Sequence, residues 1–354
     1  MRAFLCKAGW EPALADELLR GNRVVSQLGP GVVAIDGGEH DGHDDPVFSR
    51  QALPRASVVE GAAVRGLAEN IFAAIDGALD GWPGPLSLHA FAHAQPPPGL
   101  ASRAALVARE VLALLESRRR RTFRRLRGSD DGAAPFDEAC LLIQLLALGR
   151  ERFVVSAAPP RRLPMGGFDL ARWPGGDAPV ATDRGPPSRA YQKLEEALAW
   201  METAPRAGDI CVDLGAAPGG WTAIAIARGA RVLAVDRASI APALARHPRV
   251  TMTIGNAFTY APPAPVDWLL CDVVCEPQRS LTLIETWLTR NLCRNLLVTV
   301  KFKGRDSYGV LGALPPLFAR LRPTLTFARV KQLYHNKNEV TVMVRNTDAP
   351  AKMR

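Results

Sequence analysis

Four ionisable side chains stand where the sequence pattern predicts the ends of strands or the start of a helix. Lys193 falls in the helical stretch SRAYQKLEE, Asp272 closes DWLLCD, Lys301 closes LLVTVK, and Glu339 opens EVTVMVR. Strands of a parallel sheet share one edge at their C-termini, and a last strand running antiparallel brings its first residue to that edge. Asp272, Lys301 and Glu339 are therefore expected to converge, with Lys193 reaching them from its helix. Two ammonium groups and two carboxylates in contact can orient a hydroxyl, remove its proton or steady an oxyanion. The bland alternative is a set of ion pairs at strand ends, which suits one such residue better than four beside a Gly-rich turn.

That turn is DLGAAPGGW, residues 213–221. It lacks the G-K-[ST] of a P-loop and the G-x-G-x-x-G of a dinucleotide site. Gly215, Gly219 and Gly220 permit close backbone approach, and Pro218 restricts the turn. Asp213, just before the first glycine, opposes a pyrophosphate by like charge and suits a ligand bearing an amino group. Asp236 ends a second predicted strand, where a carboxylate can accept hydrogen bonds from ribose hydroxyls. S-adenosylmethionine carries the ribose, the amine and a sulfonium, so the turn favours it over NAD. A nicotinamide-linked oxidoreductase is the outside enzyme reading.

The elements that must hold these groups follow from hydrophobic periodicity. From residue 190 onward YQKLEEALAWM reads as helix, and DICVDLG, RVLAVD, RVTMTIG, VDWLLCDVV, NLLVTVKFK, LTFARVKQL and EVTVMVR read as strands. This is an α/β pattern with a mostly parallel sheet. YHNKN separates the last two strands closely enough for a hairpin, so the last strand should run antiparallel.

Upstream, residues 1–53 read as a small α/β piece with a polar loop, GGEHDGHDDPVF, whose His40, His43 and acids suit a flexible loop better than a metal site. Residues 54–160 read as a second unit. There VVEGAAVRGLAENIFAAIDGAL and ASRAALVAREVLALLESRRRR have helical periodicity, and LSLHAFA, FDEACLLIQLLALG and ERFVVSAAPP read as strands. Residues 161–187 are rich in Pro and Gly and read as a linker. Residues 188–346 form the last domain and 347–354 a tail.

The chain has 354 residues, 47% hydrophobic, with 44 Lys plus Arg against 35 acids and a formal charge of +9. Two or three domains with sizeable cores are expected, and a polyanionic partner is favoured. The densest basic run is RRRRTFRRLR, residues 118–127, with seven arginines: Arg118, Arg119, Arg120, Arg121, Arg124, Arg125 and Arg127. It suits nucleic-acid phosphates, or a solvated helix end near the favourable dipole. Arg172 and Trp173 could stack on a base or simply pack. Six scattered cysteines read as buried free thiols, with no zinc pattern and no structural metal expected. No run of about 20 apolar residues occurs and no export signal is evident, so a cytoplasmic location without membrane contact is expected.

The segments DLGAAPGGW, SRAYQKLEE, CDVVCEP, VTVKFK and KQLYHNKNEVTVMVR together resemble the FtsJ/RrmJ-type 2′-O-ribose methyltransferases. With CKAGWE and MGGFDLARWP added, the chain more closely resembles the bacterial 23S rRNA cytidine 2′-O-ribose methyltransferases, with the clearest similarity over 165–345. The resemblance implies a Rossmann-like methyltransferase domain using S-adenosylmethionine without a metal and releasing S-adenosylhomocysteine. Ahead of it the family has a ferredoxin-like piece and a THUMP RNA-binding domain. It implies a tetrad of Lys193, Asp272, Lys301 and Glu339, and cofactor contacts from Asp213, Gly215, Ala216, Pro218, Gly219, Gly220, Trp221, Asp236 and Asp272. Many relatives have an acid after the third strand; here Asn256 stands there, and its carbonyl can still accept from the adenine amine. The implied partner is 23S rRNA rather than the mature ribosome, with no obligate protein partner. The alternatives are methylation of tRNA or of another rRNA nucleotide, and a non-catalytic RNA-binding protein. Lys301 is the expected central group, as a neutral base or as a charged stabiliser.

Overall fold

The computed structural model describes residues 1–19, 23–37, 45–127, 136–183 and 185–347, apart from the side chains of 305–307. His40 and His43 of the polar loop and residues 348–354 of the expected tail lie outside the described residues. Met1–Pro164 with Phe168–Ala178 make one compact unit, and Met165–Gly167 with Pro179–Arg354 make a second.

In the first unit β1 (Arg2–Cys6), α1 (Glu11–Leu18), β2 (Val24–Gly29), β3 (Val32–Asp36) and β4 (Ser49–Leu53) build an antiparallel sheet in the order β2-β3-β1-β4. There follow β5 (Ser57–Glu60), α2 (Val64–Leu79), β6 (Leu86–Ala92), α3 (Leu100–Arg118), α4 (Arg120–Phe123), β7 (Leu141–Ala147) and β8 (Arg152–Ala158). These give a second sheet, β5-β8-β7-β6, in which β6 and β7 are parallel. Every residue of β7 is buried because both faces are covered. Leu141, Ile143 and Leu145 face α2 and α3, whereas Leu146 and Val154 pack with Leu5, Val32 and Leu53 of the first sheet. Segments 1–53 and 54–160, read separately from sequence, thus share a core. The helical reading of VVEGAAVRGLAENIFAAIDGAL needs one correction. Its start, Val58–Glu60, belongs to β5, and Gly61 turns so tightly that an added Cβ would sit 2.9 Å from Leu67 Cα.

The second unit contains α5 (Tyr191–Met201), β9 (Ile210–Leu214), α6 (Gly220–Ala227), β10 (Arg231–Asp236), α7 (Pro242–Ala245) and β11 (Val250–Ile254). It continues through β12 (Val266–Cys271), α8 (Pro277–Thr289), β13 (Cys293–Lys301), α9 (Leu314–Leu321), β14 (Leu325–Lys331) and β15 (Glu339–Asn346). The sheet order is β11-β10-β9-β12-β13-β15-β14. Strands β9 to β13 pair in parallel, and β15 is antiparallel to both neighbours. The mixed α/β pattern and the reversed last strand expected from sequence are the ones observed. Strand order reverses between β9 and β12, where the loops of an open sheet leave a crevice for ligands. In the pairing of β13 with β15, Lys301 stands opposite Glu339. β12 is buried along its whole length, as a strand covered on both faces must be.

Candidate functional site

The sheet edge brings the four ionisable residues into contact. Lys193 Nζ lies 2.9 and 2.7 Å from the two Asp272 oxygens and 3.1 Å from Glu339 Oε1. Lys301 Nζ lies 2.7 Å from Asp272 Oδ1 and 3.5 Å from Glu339 Oε2. The side chains are 12% exposed for Lys193, 14% for Asp272, 20% for Lys301 and 7% for Glu339, so the cluster is neither solvated nor sealed. Sequence reasoning missed Thr299, which donates to Asp272 Oδ1 at 2.7 Å. The signal was its place two residues before Lys301 on one strand, hence on the same face.

Burial opposes the charge on both central groups, and the partners win. Burial works to raise the Asp272 pKa, but the Lys193 and Lys301 ammoniums hold it below the ordinary carboxylate value. Burial works to lower the Lys301 pKa, but Asp272 and Glu339 hold it above the ordinary lysine value. The resting site is therefore an alternating cluster of charges with Lys301 protonated.

One turn beyond Lys193 on α5, Glu196 is completely buried. It accepts from the backbone N–H groups of Tyr334 at 2.7 Å and His335 at 2.9 Å, and lies 2.8 Å from His335 Nδ1. Residues i and i+3 of a helix share a face. The helix that carries Lys193 thereby also grips the loop leading into Glu339. No spacing rule in the sequence pointed to Glu196.

Beside the tetrad, Gly215, Asp236, Arg237, Asn256, Phe258, Val273 and Arg279 help line a cleft of about 180 Å³. Gly215 has φ of +79°, and an added Cβ would meet Val273 at 2.5 Å, so only glycine lets the loops after β9 and β12 meet. The Asp236 carboxylate accepts from Ala217 N–H and Ala238 N–H, each at 3.0 Å, and keeps acceptor capacity for hydroxyl groups. Asn256 Oδ1 takes the Phe258 N–H at 3.1 Å. Phe258 and Arg279, absent from the sequence reading, meet with the guanidinium 4.0 Å from the ring centroid. The Ala217–Pro218 bond is cis, and Ala216 is buried. Gly219 and Gly220 leave no room for a Cβ because Leu244 and the Ser188 hydroxyl crowd them.

Two of the expected contact residues are buried in the structure. Asp213 is 1% exposed, and Thr222 Oγ1 donates to it at 2.6 Å, so it braces α6 from beneath the turn. Burial, only partly offset by Thr222, raises its pKa to about 7. Trp221 is also buried, and its indole N–H donates to Ala190 O at 2.8 Å, fixing the start of α5. Both brace the glycine-rich turn from below. The remaining groups fit S-adenosylmethionine: a glycine-walled approach, a carboxylate for ribose hydroxyls, and the apolar Ala257 and Val273 beside Asn256.

In the first unit the basic run divides. Arg119 pairs with Asp76 at 2.8 Å and Asp80 at 3.2 Å. Arg118 lies 3.5 Å from Glu69 and over the Phe72 ring, and Arg125 donates to Trp82 O. Leu126 bridges to Leu86, which continues β6 at its edge. Arg120, Arg121, Arg124 and Arg127 stand at the surface, and none has a side-chain partner among the described residues. Seven arginines are thus not seven equivalent phosphate ligands. The Arg172 guanidinium lies 5.9 Å over the Phe136 ring, and Trp173 O accepts from Gln51 Nε2 at 3.4 Å, so both contribute to packing within this unit. Five of the six cysteines are buried free thiols, Cys275 being half-buried.

Residues 186–307 match the family model described as FtsJ-like methyltransferase. Over this segment the chain is similar to FtsJ-like methyltransferases. The chain is 37% identical over 215 residues to ribosomal RNA large subunit methyltransferase M of Pseudomonas putida, covering 56% of this chain and 60% of that protein. It is 38% identical over 195 residues to the protein of the same name in Pseudomonas syringae, covering 52% of this chain and 54% of the relative. The chain thus spans little more than half the length of the curated relatives it matches. A solved 1,6-didemethyltoxoflavin-N1-methyltransferase from Burkholderia thailandensis is 20% identical over 45% of this chain and 78% of its own, with a TM-score of 0.32, too distant to argue from. No helix of the described residues is long and apolar enough to cross a membrane.

Proposed function

We propose that the chain transfers a methyl group from S-adenosylmethionine to the ribose 2′-oxygen of a cytidine in 23S rRNA. The observation that carries the chemistry is the alternating contact of Lys193, Asp272, Lys301 and Glu339 beside the glycine-walled cleft. The names of the rRNA methyltransferase relatives support the substrate. S-adenosylmethionine, when bound, supplies a methyl group on a sulfonium whose leaving group departs neutral. Gly215, Asp236 and Asn256 would hold it.

The chain's own residues orient the hydroxyl and handle its proton. Asp272 Oδ1 already accepts from Thr299 and faces both lysines, whereas Oδ2 faces Lys193. Oδ2 is the oxygen with acceptor capacity to spare, so we assign it the hydroxyl hydrogen bond. As the new bond to oxygen forms, Asp272 takes the hydroxyl proton in the same step, and protonated Lys301 stabilises the negative charge that proton removal develops on the acceptor oxygen. Lys193 and Glu339 fix the two central groups and balance their charge.

We read residues 1–53 as a ferredoxin-like piece and 54–160 as a THUMP-like RNA-binding domain. The antiparallel order β4-β1-β3-β2 around one helix supports the first reading. The surface residues Arg120, Arg121, Arg124 and Arg127 support the second, through phosphate contacts that position RNA without specifying a base. The test is methyl transfer from labelled S-adenosylmethionine to unmodified 23S rRNA, with tRNA in parallel, followed by nucleotide mapping. One labelled cytidine ribose in 23S rRNA is expected. Label in tRNA alone would overturn the substrate, and label in neither would overturn the activity.

A further inference from the structure

The loop joining β14 to β15 is anchored more firmly than a hairpin turn requires. Within it, Leu333 N–H donates to Asn336 Oδ1 at 2.8 Å, and Thr341 Oγ1 donates to the same oxygen at 3.2 Å. At its far end Lys337 N–H reaches Glu339 Oε1 at 3.4 Å, and Asn338 O accepts from Phe302 N–H at 2.8 Å. At its near end three hydrogen bonds to the buried Glu196 hold Tyr334 and His335. Burying a carboxylate is costly unless its hydrogen bonds are all made. Here those bonds fix one position of a surface loop between the helix of Lys193 and the strand of Glu339.

What the loop holds outward is an aromatic ring. Tyr334 is 48% exposed, one of few large hydrophobic side chains so placed. Its ring meets the His335 ring edge-on at 5.4 Å and 69°, and His335 is itself pinned to Glu196. The ring is therefore rigid, solvent-facing and carried on a segment bonded to both ends of the tetrad. A nucleotide whose 2′-hydroxyl enters such a site must be unstacked from its neighbours, and an unstacked base gains most from a fixed aromatic face.

We propose that Tyr334 is a stacking platform for the base of the acceptor nucleotide and that Glu196, through His335, is the positioning residue that presents it. The inference rests on the RNA-methylation reading above. Stacking tolerates any base, so Tyr334 supplies grip and orientation and leaves base identity to other contacts.

The test uses the full chain and an RNA carrying the mapped acceptor nucleotide, beside the same RNA with that base removed and the ribose 2′-hydroxyl kept. Tyr334→Ala should weaken binding of the intact RNA about 5- to 150-fold, the span of measured base–aromatic stacking, and leave S-adenosylmethionine binding unchanged. Tyr334→Phe and Tyr334→Trp should restore affinity to within about threefold, because each keeps an aromatic face. Removing the base should cost the wild-type chain affinity and cost Tyr334→Ala nothing more, the coupling expected of two groups that touch. Independent, additive losses would overturn the proposal, as would full affinity in Tyr334→Ala. A wild-type chain that binds S-adenosylmethionine but methylates no RNA would overturn the underlying reading and this one with it, a result separable from the first two.

Discussion

If Lys301 works as a charged group, the methyl-transfer rate should be nearly indifferent to pH. Asp272 and Glu339 hold its pKa above the ordinary lysine value of 10.5. At pH 7.5 the neutral form is then less than about a thousandth of the population, and reaching it costs at least about 4 kcal/mol. A neutral Lys301 base would carry that cost in every turnover. The measurement is the single-turnover rate by rapid quench, with labelled S-adenosylmethionine and RNA both saturating, from pH 6.5 to 9.5. A charged Lys301 with proton loss to Asp272 in the same step predicts variation within about threefold, because neither group titrates in that window. A neutral base predicts a unit slope, about a thousandfold across the range. Asp272→Asn sharpens the contrast, since it removes the anion 2.7 Å from Lys301 Nζ and so lowers the Lys301 pKa. The charged role predicts a slower variant whose rate falls further as pH rises. A unit slope in the wild-type chain, or a faster Asp272→Asn enzyme near pH 8, would refute both the charged role and the proton transfer to Asp272. Lys301→Ala should slow the step by about 100- to 1,000-fold, the usual loss of one oxyanion donor.

Three further outcomes follow from the same geometry. Asp213 has a folded-state pKa of about 7 against an ordinary 3.8, so the folded chain holds its proton longer and stability falls as pH rises between those values. Asp213→Asn lacks that slope, so its melting temperature should gain on the wild type from pH 4 to 7 and hold a constant gap above, with a ceiling of about 4 kcal/mol; parallel melting curves would contradict this. Glu196→Ala strands two backbone N–H groups and a histidine ring, each worth about 1–3 kcal/mol, so urea unfolding should show a loss of about 3 kcal/mol or more, and a loss under 1 kcal/mol would deny the clasp its weight. Neutralising Arg120, Arg121, Arg124 and Arg127 should flatten the dependence of RNA affinity on salt by about one unit for each phosphate left without its arginine, whereas Arg119→Ala should leave the slope unchanged because Asp76 and Asp80 already hold that side chain.

The catalytic unit was legible because its information is local. Each strand from β9 to β15 is a short apolar run with clear punctuation, and placing Asp272, Lys301 and Glu339 on one edge needs only strand direction. What escaped depends on partners distant in sequence. Arg119 reads as one more cation in a basic run until Asp76, 43 residues earlier, takes it up. Glu196 reads as a solvated helix acid until Tyr334, 138 residues later, closes on it. Asp213 and Trp221 were placed on the ligand side by their motif, yet the motif fixes only the backbone turn. In the pairing of β9 with β10, Asp213 stands opposite Ala234, two residues short of Asp236 on the same face, so it lies deeper along the sheet than the carboxylate that ends β10. Depth along a strand thus limits what a motif can assign. A residue one place from a glycine turn can brace the helix behind it while the carboxylate ending the next strand, Asp236, stands open at the cleft. Asp236→Ala should therefore weaken S-adenosylmethionine binding more than Asp213→Asn does, and the reverse order in a direct binding titration would return Asp213 to the ligand.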